Sequence, residues 1–257
     1  MWIDSLIIIL LLGVLGMLFV LMRRQHQTGE RLDALQGQFE QSLHHEVRGL
    51  FGQLEAYLSL RDRLDLRQGL PYTHLWSASP DFLKLIVEHC LAQRPAHIVE
   101  CSSGLTTLML ARCCELNGRG QVTSLENGAE YADRTRAEIA RYALGAQATV
   151  LHAPLEPVSV NTRQFEWYSL AQLPEGPIDM LVIDGPPGFI QQHSRYPALP
   201  LLYERLANGC VVFLDDAARE DEQAIVAQWQ HEFPGLEHRY INTERGCSVL
   251  RIVKPTA

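Results

Sequence analysis

Two stretches in the second half of the chain begin apolar and end on acids: IDMLVIDGPPG at Ile178–Gly188 and CVVFLDDAAREDE at Cys210–Glu222. Mostly apolar runs of this length are typical of strands that are buried on both faces of a sheet. Similar short runs precede them, and helical patterns lie between. Strands that alternate with helices predict an α/β fold with a doubly wound, mostly parallel sheet. Ligands of such sheets bind at the carboxyl ends of the strands, so the strand ends hold the candidate site.

The remaining elements follow the same alternation along the chain. The predicted strands are Ala96–Cys101, Gln121–Glu126, Ala148–His152, Ile178–Asp184, Gly209–Asp215, and a closing hairpin of Glu237–Ile241 and Cys247–Val253. The predicted helices are Leu105–Leu116, Ala129–Leu144, Tyr196–Leu206 and Arg219–Phe233. The formal net charge is −8 and no basic patch is visible in the sequence, so we expect no nucleic-acid partner.

An apolar run from Ser5 to Met22 contains no charged residue in eighteen positions. A membrane-spanning helix needs about 20 apolar residues and at least about 17. Arg23 and Arg24 follow the run, and no basic residue precedes it, which argues against a cleaved signal peptide. We therefore expect a transmembrane anchor over residues 1–24 in the inner (plasma) membrane. The positive-inside bias then leaves the rest of the single-pass chain in the cytoplasm.

A helical linker is predicted over residues 25–69, after the anchor. It is followed by a third domain, the predicted α/β domain, over residues 70–257. Its apolar residues recur at steps of three or four, which is one stripe on a helix: Leu32, Leu35, Phe39, Leu43, Val47, Leu50, Leu54 and Leu58. The stripe either packs on the following domain or pairs two chains as a homodimer through residues 32–58. Its steps depart from strict alternation, so a long coiled coil is not expected.

The first two strand ends favour a nucleoside ligand. The first strand is followed by Ser102-Ser103-Gly104, which has one glycine where a dinucleotide site needs several. An NAD-dependent oxidoreductase is disfavoured for that reason. The second strand ends on Glu126, and an acid at that place accepts hydrogen bonds from a ribose diol. The alternatives are an ordinary strand-to-helix turn with hydroxyl caps and a solvated acid at a helix entry.

Acids also end the two stretches quoted above, at Asp184, Asp215 and Asp216. Three converging carboxylates repel one another unless they are protonated or bridged by a cation. Carboxylate oxygens suit a hard divalent ion such as Mg²⁺. The alternative is that they pair with Arg195 or Arg219. The sequence therefore leaves a metal site and an ion-pair cluster open.

Five segments together resemble class I S-adenosylmethionine-dependent methyltransferases. They are VECSSGLTTLMLA (99–111), TSLENGAEY (123–131), IDMLVIDGPPG (178–188), SRYPALPLL (194–202) and CVVFLDDAAREDE (210–222). They are closest to the small bacterial group with an IDGPP signature and more distantly similar to catechol O-methyltransferase. The resemblance covers about residues 70–253. It implies a Rossmann-like methyltransferase fold with a seven-stranded sheet that ends in an antiparallel hairpin.

The resemblance also implies a cofactor, a metal and their residues. S-adenosylmethionine would be bound by Glu100, Ser102, Gly104, Thr106, Glu126, Asn127, Ala153 and Asp184. A divalent cation would be held by Asp184, Asp215 and Asp216, with Asp216 standing where the catechol-type enzymes usually have Asn. Pro187 stands where those enzymes carry a lysine base. The candidate catalytic residues are therefore Asp184 and His193, with His152 as a less favoured base.

We therefore expect a membrane-anchored O-methyltransferase that acts on a small-molecule, glycan or lipid-linked acceptor. The aromatic residues Tyr72, Trp76, Trp167 and Tyr168 either line the acceptor pocket or cover the domain edge. The alternative function is a catalytically inactive scaffold or binding protein at the membrane, because a fold by itself does not establish activity.

Overall fold

The computed structural model describes residues 2–66, 69 and 77–254. The helices in these ranges are α1 (Trp2–Leu64), α2 (Pro80–Gln93), α3 (Leu105–Asn117), α4 (Ala129–Arg141), α5 (Ala198–Leu202) and α6 (Glu220–Glu232). The strands are β1 (His97–Cys101), β2 (Gln121–Glu126), β3 (Ala148–His152), β4 (Leu155–Val160), β5 (Arg163–Tyr168), β6 (Ile178–Ile183), β7 (Leu206–Leu214), β8 (Leu236–Ile241) and β9 (Cys247–Ile252). Most predicted elements are found within a few residues of their expected bounds.

Seven strands form one sheet in the order β3-β2-β1-β6-β7-β9-β8. The first five are parallel, and β9 runs antiparallel to both of its neighbours. The predicted doubly wound, seven-stranded and mostly parallel sheet fits this topology. The chain order reverses between β1 and β6, so a crevice opens at the carboxyl ends of these two strands. The candidate residues after β1, β2, β6 and β7 all lie at this edge.

Side chains of the central strands alternate between two apolar cores. In β6, Met180 and Val182 belong to the core shared with α2 and α3, whereas Leu181 and Ile183 belong to the core shared with α5 and α6. Because both faces of β6 are covered, the strand reads as a continuous apolar run in the sequence. This burial holds the loop that follows β6 in a fixed position at the crevice.

The hairpin of β4 and β5 is an element that the sequence analysis missed. The strands pair from Leu155 opposite Tyr168 to Val160 opposite Arg163. Asn161 and Thr162 form the turn, with φ of +46° and +67°. A two-residue turn with both central φ angles positive matches the right-handed twist of a hairpin. Asn161 after the alternating segment Leu155–Val160 was the available signal.

The chain divides into two compact units, Met1–Phe51 and Gly52–Ala257. The described residues of the first unit are helical and belong to α1. The predicted boundary between linker and third domain, at residue 70, lies outside the described residues.

The prediction of a transmembrane anchor is wrong. Of the helices in the described ranges, none combines the length and the apolar character that crossing a membrane requires. The apolar residues instead form part of a helix that continues through Arg23 and Arg24 to Leu64. This finding contradicts the predicted anchor over residues 1–24. It also contradicts the membrane attachment and the single-pass plasma-membrane localisation that were inferred from that anchor.

The apolar stripe of α1 is exposed along much of its length. Leu32, Phe39 and Leu50 each expose more than 60% of their surface. Near the end of the helix, Leu60 and Leu64 are fully buried in the core with α2 and α3. The last turns of α1 therefore pack on the sheet domain, and the homodimer through residues 32–58 stays a prediction.

Candidate active site

Glu100 is the last residue but one of β1, and its carboxylate is fully buried and enclosed by hydroxyl groups. Thr107 and Ser124 each donate a hydrogen bond of 2.6 Å to Oε2, and Thr106 donates to Oε1. Burial raises the pKa of Glu100 to about 7, although the three hydroxyl donors act in the opposite direction. Glu100 thus joins β1, β2 and the start of α3 from inside the protein.

The loop after β1 turns sharply towards α3. Ser102 and Gly104 have φ of +127° and +143°, and Gly104 begins the helix. The Ser102 amide donates to the Leu125 carbonyl at 3.0 Å, and the Gly104 amide donates to the Thr107 hydroxyl at 3.0 Å. The loop is therefore tied to β2 and to α3 on either side of Ser103.

Glu126 ends β2 and is held in one orientation. Its Oε2 accepts a hydrogen bond of 2.9 Å from the Ser103 hydroxyl, and its Oε1 accepts one of 2.9 Å from the Gly128 amide. The residue is 7% exposed. A carboxylate fixed by two donors retains further lone pairs for a ligand. The predicted ribose acid is thus positioned before any ligand arrives.

A cavity of about 330 Å³ opens beside Glu126. Four of the predicted cofactor residues line it: Ser102, Glu126, Asn127 and Asp184. Tyr168, Gly185 and Phe189 also contribute to its wall. Its size lies at the lower end of the range of ligand pockets, about 300–1,000 Å³.

The other four predicted cofactor residues do not line the cavity directly. Glu100, Gly104, Thr106 and Ala153 are not among the described residues that line the cavity. The Thr106 hydroxyl is buried and donates a hydrogen bond to Glu100. The Ala153 amide donates one to the Glu126 carbonyl at 2.8 Å. Their visible contribution is therefore to position Glu126 and the loop after β1.

The three aspartates that follow β6 and β7 meet at the crevice, as the sequence predicts. One carboxylate oxygen from each of Asp184, Asp215 and Asp216 lies within 4.8 Å of the others. Burial raises the pKa of Asp184 and of Asp215, and the negative charge of neighbouring aspartates raises both further. Arg195 acts in the opposite direction on both groups.

Arg195 lies inside this acidic cluster with 2% of its surface exposed. Its guanidinium donates to the carbonyls of Asp215 at 2.8 Å and Asp184 at 3.0 Å, and to Asp216 Oδ2 at 2.7 Å. Glu222 adds a fourth carboxylate, 3.7 Å from Arg195 Nη1. Arg195 thus binds both strand-end loops together through their backbone.

The cluster still has unpartnered oxygens. Within residues 2–66, 69 and 77–254, neither carboxylate oxygen of Asp215 has a hydrogen-bond partner, and Asp216 Oδ1 has none either. Buried carboxylates without donors are costly, and a hard cation prefers oxygen ligands of this kind. Asp184, Asp215 and Asp216 therefore fit a divalent cation chemically, although Arg195 already shares part of their charge.

A second cavity, of about 640 Å³, adjoins the first. Asp184, Pro187 and Phe189 line both cavities. The second cavity is otherwise bordered by charged side chains, among them Arg195, Asp216, Arg219, Asp221, Glu222 and Arg245. Two ligands could therefore lie on either side of Asp184 and approach each other there.

His193 lies apart from the meeting point of the cavities. Its ring Nε2 is 3.5 Å from Asp221 Oδ1, and its Nδ1 is 3.3 Å from Arg163 Nη2. Because a guanidinium can only donate, Nδ1 is the acceptor in that contact and Nε2 carries the proton towards Asp221. Both ring nitrogens are thus engaged, and in the described part of the chain His193 lines neither cavity.

The predicted aromatic residues divide into two groups. Tyr168 lines the smaller cavity, and Trp167 beside it is fully buried. Tyr72 and Trp76 lie outside the described residues. The sequence analysis missed Phe189, which borders both cavities; its place directly after the IDGPPG segment was the available signal.

Comparison with known proteins agrees with this architecture. The family described as "Methyltransferase domain" matches residues 99–217. An O-methyltransferase from Bacillus cereus, solved in complex with S-adenosylhomocysteine, shares 17% identity at a TM-score of 0.53, over 79% of this chain and 91% of its own. Among proteins of curated function, none matches the sequence.

Two further solved structures share the fold. An S-adenosylhomocysteine-bound methyltransferase from Podospora anserina is 13% identical, over 79% of this chain and 88% of its own, with a TM-score of 0.53. An O-methyltransferase from Streptomyces achromogenes, involved in tomaymycin synthesis, is 12% identical, over 79% and 90%, with a TM-score of 0.51. The match to a methyltransferase domain and this fold confirm the predicted resemblance to class I S-adenosylmethionine-dependent methyltransferases.

Proposed function

We propose that this protein transfers a methyl group from S-adenosylmethionine to an oxygen of a small-molecule acceptor. The methyl donor would lie in the 330 Å³ cavity and the acceptor in the 640 Å³ cavity. The observation that carries this proposal is that the two cavities share Asp184, Pro187 and Phe189. Methyl transfer is a direct displacement, so it requires two ligands whose reacting atoms meet in line.

On the donor side, Glu126 would accept hydrogen bonds from the ribose hydroxyls. Its orientation is already set by Ser103 and Gly128, so little ordering is needed on binding. Ser102 and Asn127 line the same cavity as Glu126. S-adenosylmethionine supplies the methyl group as a sulfonium and leaves as a thioether.

On the acceptor side, Asp184 is our candidate for the group that takes the proton. It borders both cavities, and its raised pKa makes it a better proton acceptor near neutral pH than an ordinary carboxylate. Pro187 has no side-chain group that could do so. The engaged ring nitrogens of His193 make it the weaker of the two catalytic candidates.

A divalent cation, if bound, would be held by Asp184, Asp215 and Asp216. It would supply a positive charge that lowers the pKa of an acceptor hydroxyl. The unpartnered oxygens of Asp215 support this part of the proposal. Without a cation, Arg195 supplies the positive charge nearest to these carboxylates.

A membrane anchor would weakly favour a glycan or lipid-linked acceptor over a small molecule, and the predicted anchor is contradicted. The acceptor cavity combines the apolar surfaces of Pro187 and Phe189 with guanidinium and carboxylate groups. Such a lining suits a small acceptor with an apolar body and polar substituents.

The test is calorimetric titration of S-adenosylhomocysteine into the full chain, with and without Mg²⁺. We expect micromolar binding by the wild type and binding weakened about tenfold or more by Glu126→Ala, since hydrogen bonds to a charged group are worth about 1.5–3 kcal/mol. Glu130→Ala is the matched control, because Glu130 is exposed and pairs with Arg134 one turn away on α4.

Each result bears on a separate part of the proposal. A folded wild-type chain that does not bind S-adenosylhomocysteine in either condition would refute the donor site. Equal losses in Glu126→Ala and Glu130→Ala would refute the ribose assignment. Binding that is unchanged by Mg²⁺ would leave the donor site intact and count against the cation.

A further inference from the structure

Tyr168 is the last residue of β5 and has an unusual environment for a tyrosine. Its side chain is 1% exposed. In the part of the chain that the structure describes, its hydroxyl has no hydrogen-bond partner. Buried tyrosine hydroxyls usually find one.

Two other buried side chains show what is specific about Tyr168. The Tyr196 hydroxyl donates to Glu232 at 2.8 Å and accepts from Asn161 at 2.8 Å. The Trp167 Nε1 also lacks a partner among the described residues, but it borders neither cavity. Tyr168 differs from both, because its hydroxyl has no partner among the described residues and because it lines the 330 Å³ cavity.

The hydroxyl lies against the backbone at Gly185. A Cβ atom added at Gly185 would overlap the Tyr168 hydroxyl and would come within 3.2 Å of Ser102 Cβ. Glycine at this position therefore leaves the space that the hydroxyl occupies, next to Ser102, which also lines the cavity.

The hydroxyl is a donor at any physiological pH. Burial raises the pKa of Tyr168 well above its ordinary value of 10, and the negative charges of nearby Glu126 and Asp184 raise it further. A neutral phenol has one proton to donate, and here that proton has no acceptor among the described protein groups.

We propose that Tyr168 is a positioning residue that donates a hydrogen bond to an oxygen of the bound methyl donor. This inference rests on the proposed function, because it places S-adenosylmethionine in the cavity. Glu126 would bind the ribose hydroxyls, and the Tyr168 hydroxyl would donate to one of the ligand's remaining oxygens, the ribose ring oxygen or the carboxylate. Gly185 takes part by leaving the space that the hydroxyl needs.

The experiment compares S-adenosylhomocysteine affinity and thermal stability for the wild type, Tyr168→Phe and Tyr196→Phe. We expect Tyr168→Phe to weaken binding about fivefold to tenfold, the range of one neutral hydrogen bond. Its ligand-free melting temperature should stay equal or rise, since no internal bond is lost. Tyr196→Phe should show the reverse: a lower melting temperature and unchanged affinity.

A second variant covers the case in which Tyr168→Phe does not fold. Gly185→Ala keeps the hydroxyl but displaces it, so it should also weaken binding. When Tyr168→Phe does not fold, the affinity of Gly185→Ala alone decides. When it folds, Gly185→Ala should weaken binding by a smaller factor in that background than in the wild type.

Three results would overturn the inference. The first is wild-type affinity in Tyr168→Phe, and the second is a loss in Gly185→Ala that is the same in both backgrounds. The third is a wild-type chain that does not bind S-adenosylhomocysteine, and this result overturns the proposed function as well. Normal wild-type binding with weakened Glu126→Ala binding but intact Tyr168→Phe binding refutes the role of Tyr168 alone.

Discussion

Glu100 and Asp215 are two acids at the carboxyl edge of one sheet, and both are fully buried. Glu100 accepts hydrogen bonds from three hydroxyls. Across the described residues, Asp215 accepts none at either carboxylate oxygen. Burial raises the pKa of both. Glu100 thus has a complete shell of hydrogen-bond donors. Asp215, which lies beside Asp184 in the candidate site, has an incomplete one.

This difference in hydrogen bonding distinguishes Glu100, which has a structural role, from Asp215, which is a candidate ligand for a cation. The shell around Glu100 comes from β2 and the start of α3, so it holds the loop after β1 in place. Asp215 is adjacent to Asp184 and Asp216, and the cluster is linked by Arg195. An unsatisfied buried carboxylate is costly and is retained most readily where a ligand completes it.

The largest expected effect comes from removing the buried cation of the incomplete cluster. Arg195→Met should destabilise the protein by about 3–5 kcal/mol, because buried carboxylates lose their partner and two backbone carbonyls lose their donor. The measurement is urea unfolding at pH 7. Arg219→Met is the matched control, because Arg219 also pairs with Asp216 at 2.9 Å but is half exposed.

For Arg219→Met we expect a loss below about 1 kcal/mol, as for other exposed ion pairs. Equal losses in the two variants would show that the burial of Arg195 is not what holds the cluster together.

The next effect tests the complete shell through its pH dependence. A carboxyl with a pKa of about 7 when folded and 4.5 when unfolded binds its proton more tightly in the folded protein. Its stabilising contribution is therefore full below pH 4.5 and disappears as the pH rises through 7, over a span of about 3 kcal/mol. Glu100→Gln should flatten this part of the stability curve between pH 4.5 and 8.

Unfolding free energies of the wild type and Glu100→Gln across this range provide the measurement. Glu130→Gln serves as an exposed control whose curve should follow the wild type. Parallel curves for the wild type and Glu100→Gln would mean that Glu100 is ionised in the folded protein throughout this range.

The edge of the sheet was predictable because it depends on strand order. Apolar runs ending at Asp184 and Asp215 predict buried parallel strands, and such strands bring their carboxyl ends together. The direction of a side chain at the edge is not encoded in the same way. Glu100 turns inward because Thr106, Thr107 and Ser124 surround it, and such contacts depend on how α3 packs on β2.

The position of the Arg195 side chain was also not predictable from the sequence. The sequence named it as one partner for the acids, with a metal as the alternative. Its place inside the cluster depends on the path of the segment between β6 and α5, which has no periodic pattern. Hydrophobicity alone also misled the reading of residues 1–24, where an apolar run belongs to a longer, partly charged helix.

The smallest expected effect separates a cation from a buried neutral acid at Asp215. Asp215→Asn removes a carboxylate that has no donor among the described groups, so without metal it should raise stability at pH 8 by about 1 kcal/mol. If the cluster holds a cation, millimolar Mg²⁺ should raise the melting temperature of the wild type and leave that of Asp215→Asn nearly unchanged. Asp216→Asn is the informative control, since the catechol-type enzymes that the sequence resembles usually have Asn at that place, and it should retain part of the response. A wild-type melting temperature that does not move with Mg²⁺ would instead assign the cluster to Arg195 alone, with Asp215 carrying its own proton.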